Sequence, residues 1–142
     1  LPNAALHFAR ADINARSESM TAIGKKRWAI PEGYIPSGSV SQDRTLLSHE
    51  TACILNANDR DANIKLTVFF ANRDPVEYNV TVQARRTLHL RFNDLKDPEP
   101  VPLDTDYASV FEADLPIVVQ HTRLDSRRAE IALLSTVAYG QD

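Results

Sequence analysis

Apolar side chains fall on every second residue in run after run of this chain, and no other feature constrains its fold as tightly. In Ile64–Ala71, the residues Ile64, Leu66, Val68 and Phe70 lie on one side of an extended backbone. Lys65 and Thr67 lie on the other, with Phe69 an apolar exception among them. A period of two marks a strand with one buried face, because successive side chains of an extended chain point to opposite sides. The pattern recurs in Lys26–Ile30 (Trp28 and Ile30 inward), Glu50–Asn56, Glu77–Gln83 (Tyr78, Val80 and Val82 inward), Arg85–Phe92 (Leu88, Leu90 and Phe92 inward) and Tyr107–Ala113. Turn formers separate the runs: Pro31, which cannot donate to a ladder and so should end the first strand, then Asn58-Asp59-Arg60-Asp61, Asn72-Arg73-Asp74-Pro75 and the proline-broken loop Asn93–Asp104.

The last part of the chain holds the densest apolar segments. Leu115–Gly140 reads as two neighbouring strands joined by a charged turn, with Ile117, Val119, His121 and Arg123 on one face and Val118, Gln120 and Thr122 on the other. Ile131–Tyr139 is apolar on both faces, which predicts burial on both, inside a sheet stack or against another subunit. A helix over Arg127–Leu134 competes there, since RRAEIALL is rich in helix formers; the strand is favoured. About eight short strands without alternating helices give an all-β fold class: an antiparallel two-sheet β-sandwich with jelly-roll-like topology. Residues 23–142 are assigned to that domain. Residues 1–22 carry no strand pattern and are read as an N-terminal extension or arm. They are either an extension upstream of Met20, the sole methionine, or a short helical arm around Ala4–Arg16.

Composition matters for what it excludes. Cys53 is the only cysteine among 142 residues, so neither an intrachain disulfide nor a cysteine-based zinc site is available, and the cytoplasm is the expected location. A net charge of −3 supplies no global attraction for nucleic acid or anionic lipid. No GxSxG, phosphate-binding glycine loop or dinucleotide fingerprint is present, so no catalytic residue and no cofactor is assigned. Asp59-x-Asp61-x-Asn63 resembles the start of a calcium loop, but Ile64 stands where the glycine belongs and Phe70 where the final Glu belongs, which leaves a turn.

The candidate site residues are polar side chains set into this apolar scaffold. His49, His89 and His121 each have a charged residue within two positions, Glu50, Arg91 and Arg123. With no ligand-spacing motif, no metal is assigned to them. Arg85, Thr87, His89 and Arg91 fall on one face and, with Arg123, Arg127 and Arg128, form a set of guanidinium groups able to grip carboxylate, phosphate or a partner's acidic side chains. The competing reading pairs them with Glu50, Asp125 and Glu130 as a solvated face. Trp28, followed by Glu32, Gly33 and Tyr34, is either a stacking platform for a sugar or a core tryptophan. Cys53 lies in an apolar strand and reads as a small hydrophobe.

Five blocks carry a further signal: WAIPEGYIP at 28–36, SHETACILNA at 48–57, ARRTLHLRFNDL at 84–95, DTDYASV at 104–110 and PIVVQHTRLDSRRAEIALLSTVAY at 116–139. Together they closely resemble the Anabaena sensory rhodopsin transducer family, from Lys26 to Tyr139. The resemblance implies a small soluble jelly-roll-like sandwich that assembles as a cyclic homotetramer, with a founding member that is the cytoplasmic partner of a seven-helix retinal photoreceptor. It also implies a link to DNA binding and a likeness to carbohydrate-binding modules, and it supplies no catalytic residues to transfer. The expected function is therefore a signal transducer or adaptor that binds a protein partner, a sensory rhodopsin or another signalling protein, as a homo-oligomer. A module for a sugar or anionic metabolite is the alternative, and a DNA-binding regulator is third.

Overall fold

The structure, a computed structural model, describes residues 22–142, so the assignment made for the N-terminal arm lies almost wholly outside the described residues. Eight strands follow one another: β1 Lys25–Gly33, β2 His49–Asn56, β3 Ala62–Phe70, β4 Val76–Val82, β5 Arg86–Arg91, β6 Tyr107–Asp125, β7 Ala132–Val137 and β8 Tyr139–Gln141, with one 3₁₀ turn at Phe92–Asp94. Every strand pairing is antiparallel. The all-β class is therefore as expected, but pairing joins the eight strands into one connected sheet and not into two separate ones.

Strand β6 makes that connection. It runs for 19 residues where the alternation suggested two strands split near Pro116. Its first part, through Ala113, lies between β3 and β1, and its last part, from Val118, lies between β2 and β7. β4 continues outward from β3, β8 from β1, and β5 from β2. Pro116 sits where the ladder changes neighbours, so its missing N–H removes no ladder bond and the strand passes through. Side chains pin the crossing: Asn58 Nδ2 donates to the Pro116 carbonyl at 2.7 Å, and the Asn63 N–H donates to Asp114 Oδ1 at 2.8 Å.

Both parts of β6 feed one core. Phe111 and Val119, from its two ends, are buried in the same cluster as Ile54 of β2, Leu66 and Val68 of β3 and Val82 of β4. Phe92 fills the centre, 5.4 Å from the Tyr107 ring and edge-on to Phe111 at 6.5 Å. Side chains this deeply buried contribute about 1.5–3 kcal/mol each relative to exposure.

Two local expectations are corrected, and the favoured strand reading of the last segment holds over the competing helix. β1 does not stop at Pro31; it continues to Gly33 because the register slips between Ile30 and Gly33, so proline occupies the irregular step, where no donor is required. Arg127–Leu134 is no helix: a turn follows Asp125 and β7 begins at Ala132, pairing with β6 from Asp125 to Gln120. The double burial expected for Ile131–Tyr139 is also absent in the single chain, since all six residues of β7 are exposed. Among the described residues its one ladder partner is β6, and no strand pairs with its other edge. No helix among the described residues is long and apolar enough to cross a membrane.

Candidate functional site

Alternation along β6 sends His121 and Arg123 inward with Val119, and the β2–β6 register sets Glu50 directly opposite Arg123 and one inward pair away from His121. All three are polar side chains on a face that is otherwise core, and they satisfy one another. Glu50, 1% exposed, accepts from three donors. Arg123 Nε and the Tyr34 backbone N–H reach Oε1 at 2.5 and 2.9 Å, and His121 Nε2 reaches Oε2 at 2.6 Å. A carboxylate can only accept, so His121 carries its proton on Nε2 in this contact. Arg123 Nη2 then donates to Glu32 Oε1 at 2.6 Å and to the Tyr34 carbonyl at 3.4 Å, which ties the end of β1 and the following loop to β6.

The electrostatics follow from this packing. Burial pulls the Arg123 guanidinium down, but hydrogen bonds and charge from Glu50 and Glu32 outweigh it and hold its pKa above the usual value. Tyr107, opposite Gly33 at the start of β6, lies close enough to feel Glu50. Burial first and the Glu50 charge second push its phenol far up, so it stays a neutral hydroxyl. Its Oη is buried without a hydrogen-bond partner among the described residues.

His121 also faces outward. It forms part of the lining of a groove of about 340 Å³ between β1 and β7, walled by Ile30, Pro31, Leu134, Val137 and Tyr139, with Glu32 and Thr136 as its other polar members. His121 Nδ1 makes no hydrogen bond among the described residues.

The other sequence-selected residues do not join this cluster. His49, on the opposite face of β2, stacks with Arg91: Arg91 Nη2 is 3.0 Å from Nδ1, and Nδ1 is 2.7 Å from the Leu47 carbonyl. Burial, more than the nearby arginines, lowers the His49 pKa. His89 is exposed on β5, opposite Cys53. Arg85 is not part of the row with Thr87, His89 and Arg91. It precedes β5 in a left-handed turn at φ 56°, its N–H donating to the Asn58 carbonyl, and this breaks the alternation that placed it there. Arg127 folds back on Asp125 at 2.6 Å and Arg128 is exposed beside it in the β6–β7 turn. The guanidinium groups are thus dispersed over two faces and a turn. Trp28 is 7% exposed, and its Nε1–H is taken by the Lys25 and Ile117 carbonyls, both at 2.9 Å, which places it in the core. Among the described residues no three His, Cys, Asp or Glu side chains come together as a metal site. Sequence reasoning did not single out Tyr107 or Glu32 as members of the cluster; only the strand register brings them to it.

Fold and site define a class: a small antiparallel β protein in which a buried ionic cluster links β1, β2 and β6 beneath an open apolar groove. The chain belongs to the family described as Anabaena sensory rhodopsin transducer, whose model matches residues 23–140. Among solved structures, the Anabaena sensory rhodopsin transducer is 56% identical, covering 78% of this chain and 96% of its own, at a TM-score of 0.67. The crystal structure of Thermotoga maritima 1070 is 34% identical, covering 84% and 97%, at a TM-score of 0.75. No curated protein matches.

Proposed function

We propose that this protein is a signal transducer that works by binding, as a homo-oligomer, to a protein partner in the cytoplasm. The supporting observation is the apolar surface of β7, where Leu133 and Val137 are 68% and 66% exposed on a strand with one ladder partner among the described residues. Surface of that kind, concentrated in one place, is covered in a working protein. The name of the 56% identical relative supplies the partner class, a sensory rhodopsin, with other signalling proteins in the same role. Residues 23–142 act as one domain, and the one core shared by both parts of β6 supports a jelly-roll-like stacking of the two ends of the sheet. The protein acts without catalysis, since Glu50 and Arg123 are spent on holding strands together. Static light scattering at micromolar concentration tests the proposal: a tetramer is expected, and a monomer overturns it.

A second reading, a small-ligand module, is favoured by the groove above His121. A ligand present at about 100 times its Kd should raise stability by about 2.7 kcal/mol in a thermal-shift screen. DNA binding draws no comparable support, because Arg123 faces inward and Arg91 is turned onto His49.

A further inference from the structure

The groove selects a different chemistry from the one its arginines suggest in the sequence. We propose that it takes a small molecule with an apolar body and an ammonium head, and that it excludes anions. This rests on the small-ligand reading above.

Four observations converge. First, the lining is mostly apolar, and its volume of about 340 Å³ suits a ring or short branched chain rather than a polymer. Second, apart from the His121 imidazole, the one charged side chain in its lining is the Glu32 carboxylate. His121 is 4% exposed and held by Glu50 through Nε2. Glu32 presents the carboxylate oxygen that Arg123 does not use. A head group that reaches Glu32 must donate, and a carboxylate or phosphate there would meet its lone pairs.

Third, Arg123 does not line the groove and is already committed, through Nε to Glu50 and Nη2 to Glu32. Arg27 lines a separate hollow that shares Tyr139 with the groove. Fourth, the Tyr139 ring stands largely exposed at the rim, where an aromatic face attracts a cation.

The experiment is calorimetric titration of the full chain, near neutral pH and at low salt, with three compounds that share one body: cyclohexylmethylamine, cyclohexylmethanol and cyclohexanecarboxylate. The amine should bind most tightly, by about fivefold over the alcohol as expected for one partly exposed charge pair, and the carboxylate should not bind. Glu32→Gln, at a side chain 61% exposed and therefore tolerant, should abolish the preference for the amine. Tighter binding of the carboxylate, equal binding of the alcohol and amine, or an amine preference unchanged in Glu32→Gln would each overturn the charge selection while leaving the groove a ligand site. Failure of all three to bind, with His121 ring resonances unmoved by any of them, would overturn both the inference and the ligand reading beneath it.

Discussion

Glu50 is the residue whose removal should cost most for the smallest change of shape. Glu50→Gln keeps the volume but removes the charge that Arg123 and His121 share, leaving a mostly buried guanidinium without its nearer carboxylate. Breaking such a pair from one side costs about 3 kcal/mol or more, so urea denaturation should show a loss of that order. Glu32→Gln, exposed on the same arginine, should cost no more than about 1 kcal/mol. A loss equal to that of Glu50→Gln would show that Arg123 is held chiefly from the rim. His49 gives a pH-dependent counterpart. Its pKa is lowered below the ordinary 6.5 by burial, so the folded state binds a proton less readily than the unfolded chain. The stability it confers is present above about pH 6.5 and is lost as pH falls through the lowered folded value. His49→Gln should flatten the stability profile over that window, and the His49 ring should titrate below the ordinary histidine value by NMR. Of this site, the parity of His121 and Arg123 was legible in the sequence because they stand two positions apart on one strand. The pairing of Arg123 with Glu50 was named there as the competing reading, but the joint cluster with His121 was not, because inter-strand register is set by long-range contacts that alternation does not encode.

At the scale of elements, alternation located the cores of β1 to β6 but not the separate strand β8, and two of its boundary errors share one physical cause. Pro31 was read as a stop, and the strand was split between Ala113 and Leu115 beside Pro116, yet both prolines occupy steps where the ladder shifts or changes partner and no N–H is required. Glycines mark the same irregular places. Gly33 faces the Tyr107 ring so closely that a Cβ there would overlap ring carbons. Gly24, at φ +102°, leaves a Cβ no room beside the Ile117 carbonyl. Gly33→Ala must displace the ring that packs on Phe92, and overpacking of this kind costs about 1–3 kcal/mol. Gly24→Ala meets backbone rather than a movable side chain and adds left-handed strain, so it should be the more damaging of the two. Thermal denaturation of both variants checks the order, and a Gly24→Ala protein as stable as the parent would contradict the close approach at Ile117.

For the whole molecule, the question is what covers the end of the chain. The double apolar character of Ile131–Tyr139 was legible, but its place relative to the core was not, since a strand buried inside a stack and one waiting at an edge share the same pattern. Ile131, Leu133, Leu134, Val137 and Tyr139 are all among the exposed large apolar side chains, crowded into one short segment. The outer face of the sheet continues this patch, with Leu55, 42% exposed, directly opposite half-buried Val118. Leu133 and Val137 project into solvent and support no core contact, so charging them should leave the fold intact while making association costly, because each buried arginine would lose its hydration. The double variant Leu133→Arg, Val137→Arg should therefore scatter light as a monomer with an unchanged far-ultraviolet circular dichroism spectrum, where the parent, on the proposed function, should scatter as a tetramer. If the variant keeps the parental mass, the subunits meet elsewhere, and the open edge of β7 is left for the signalling partner itself.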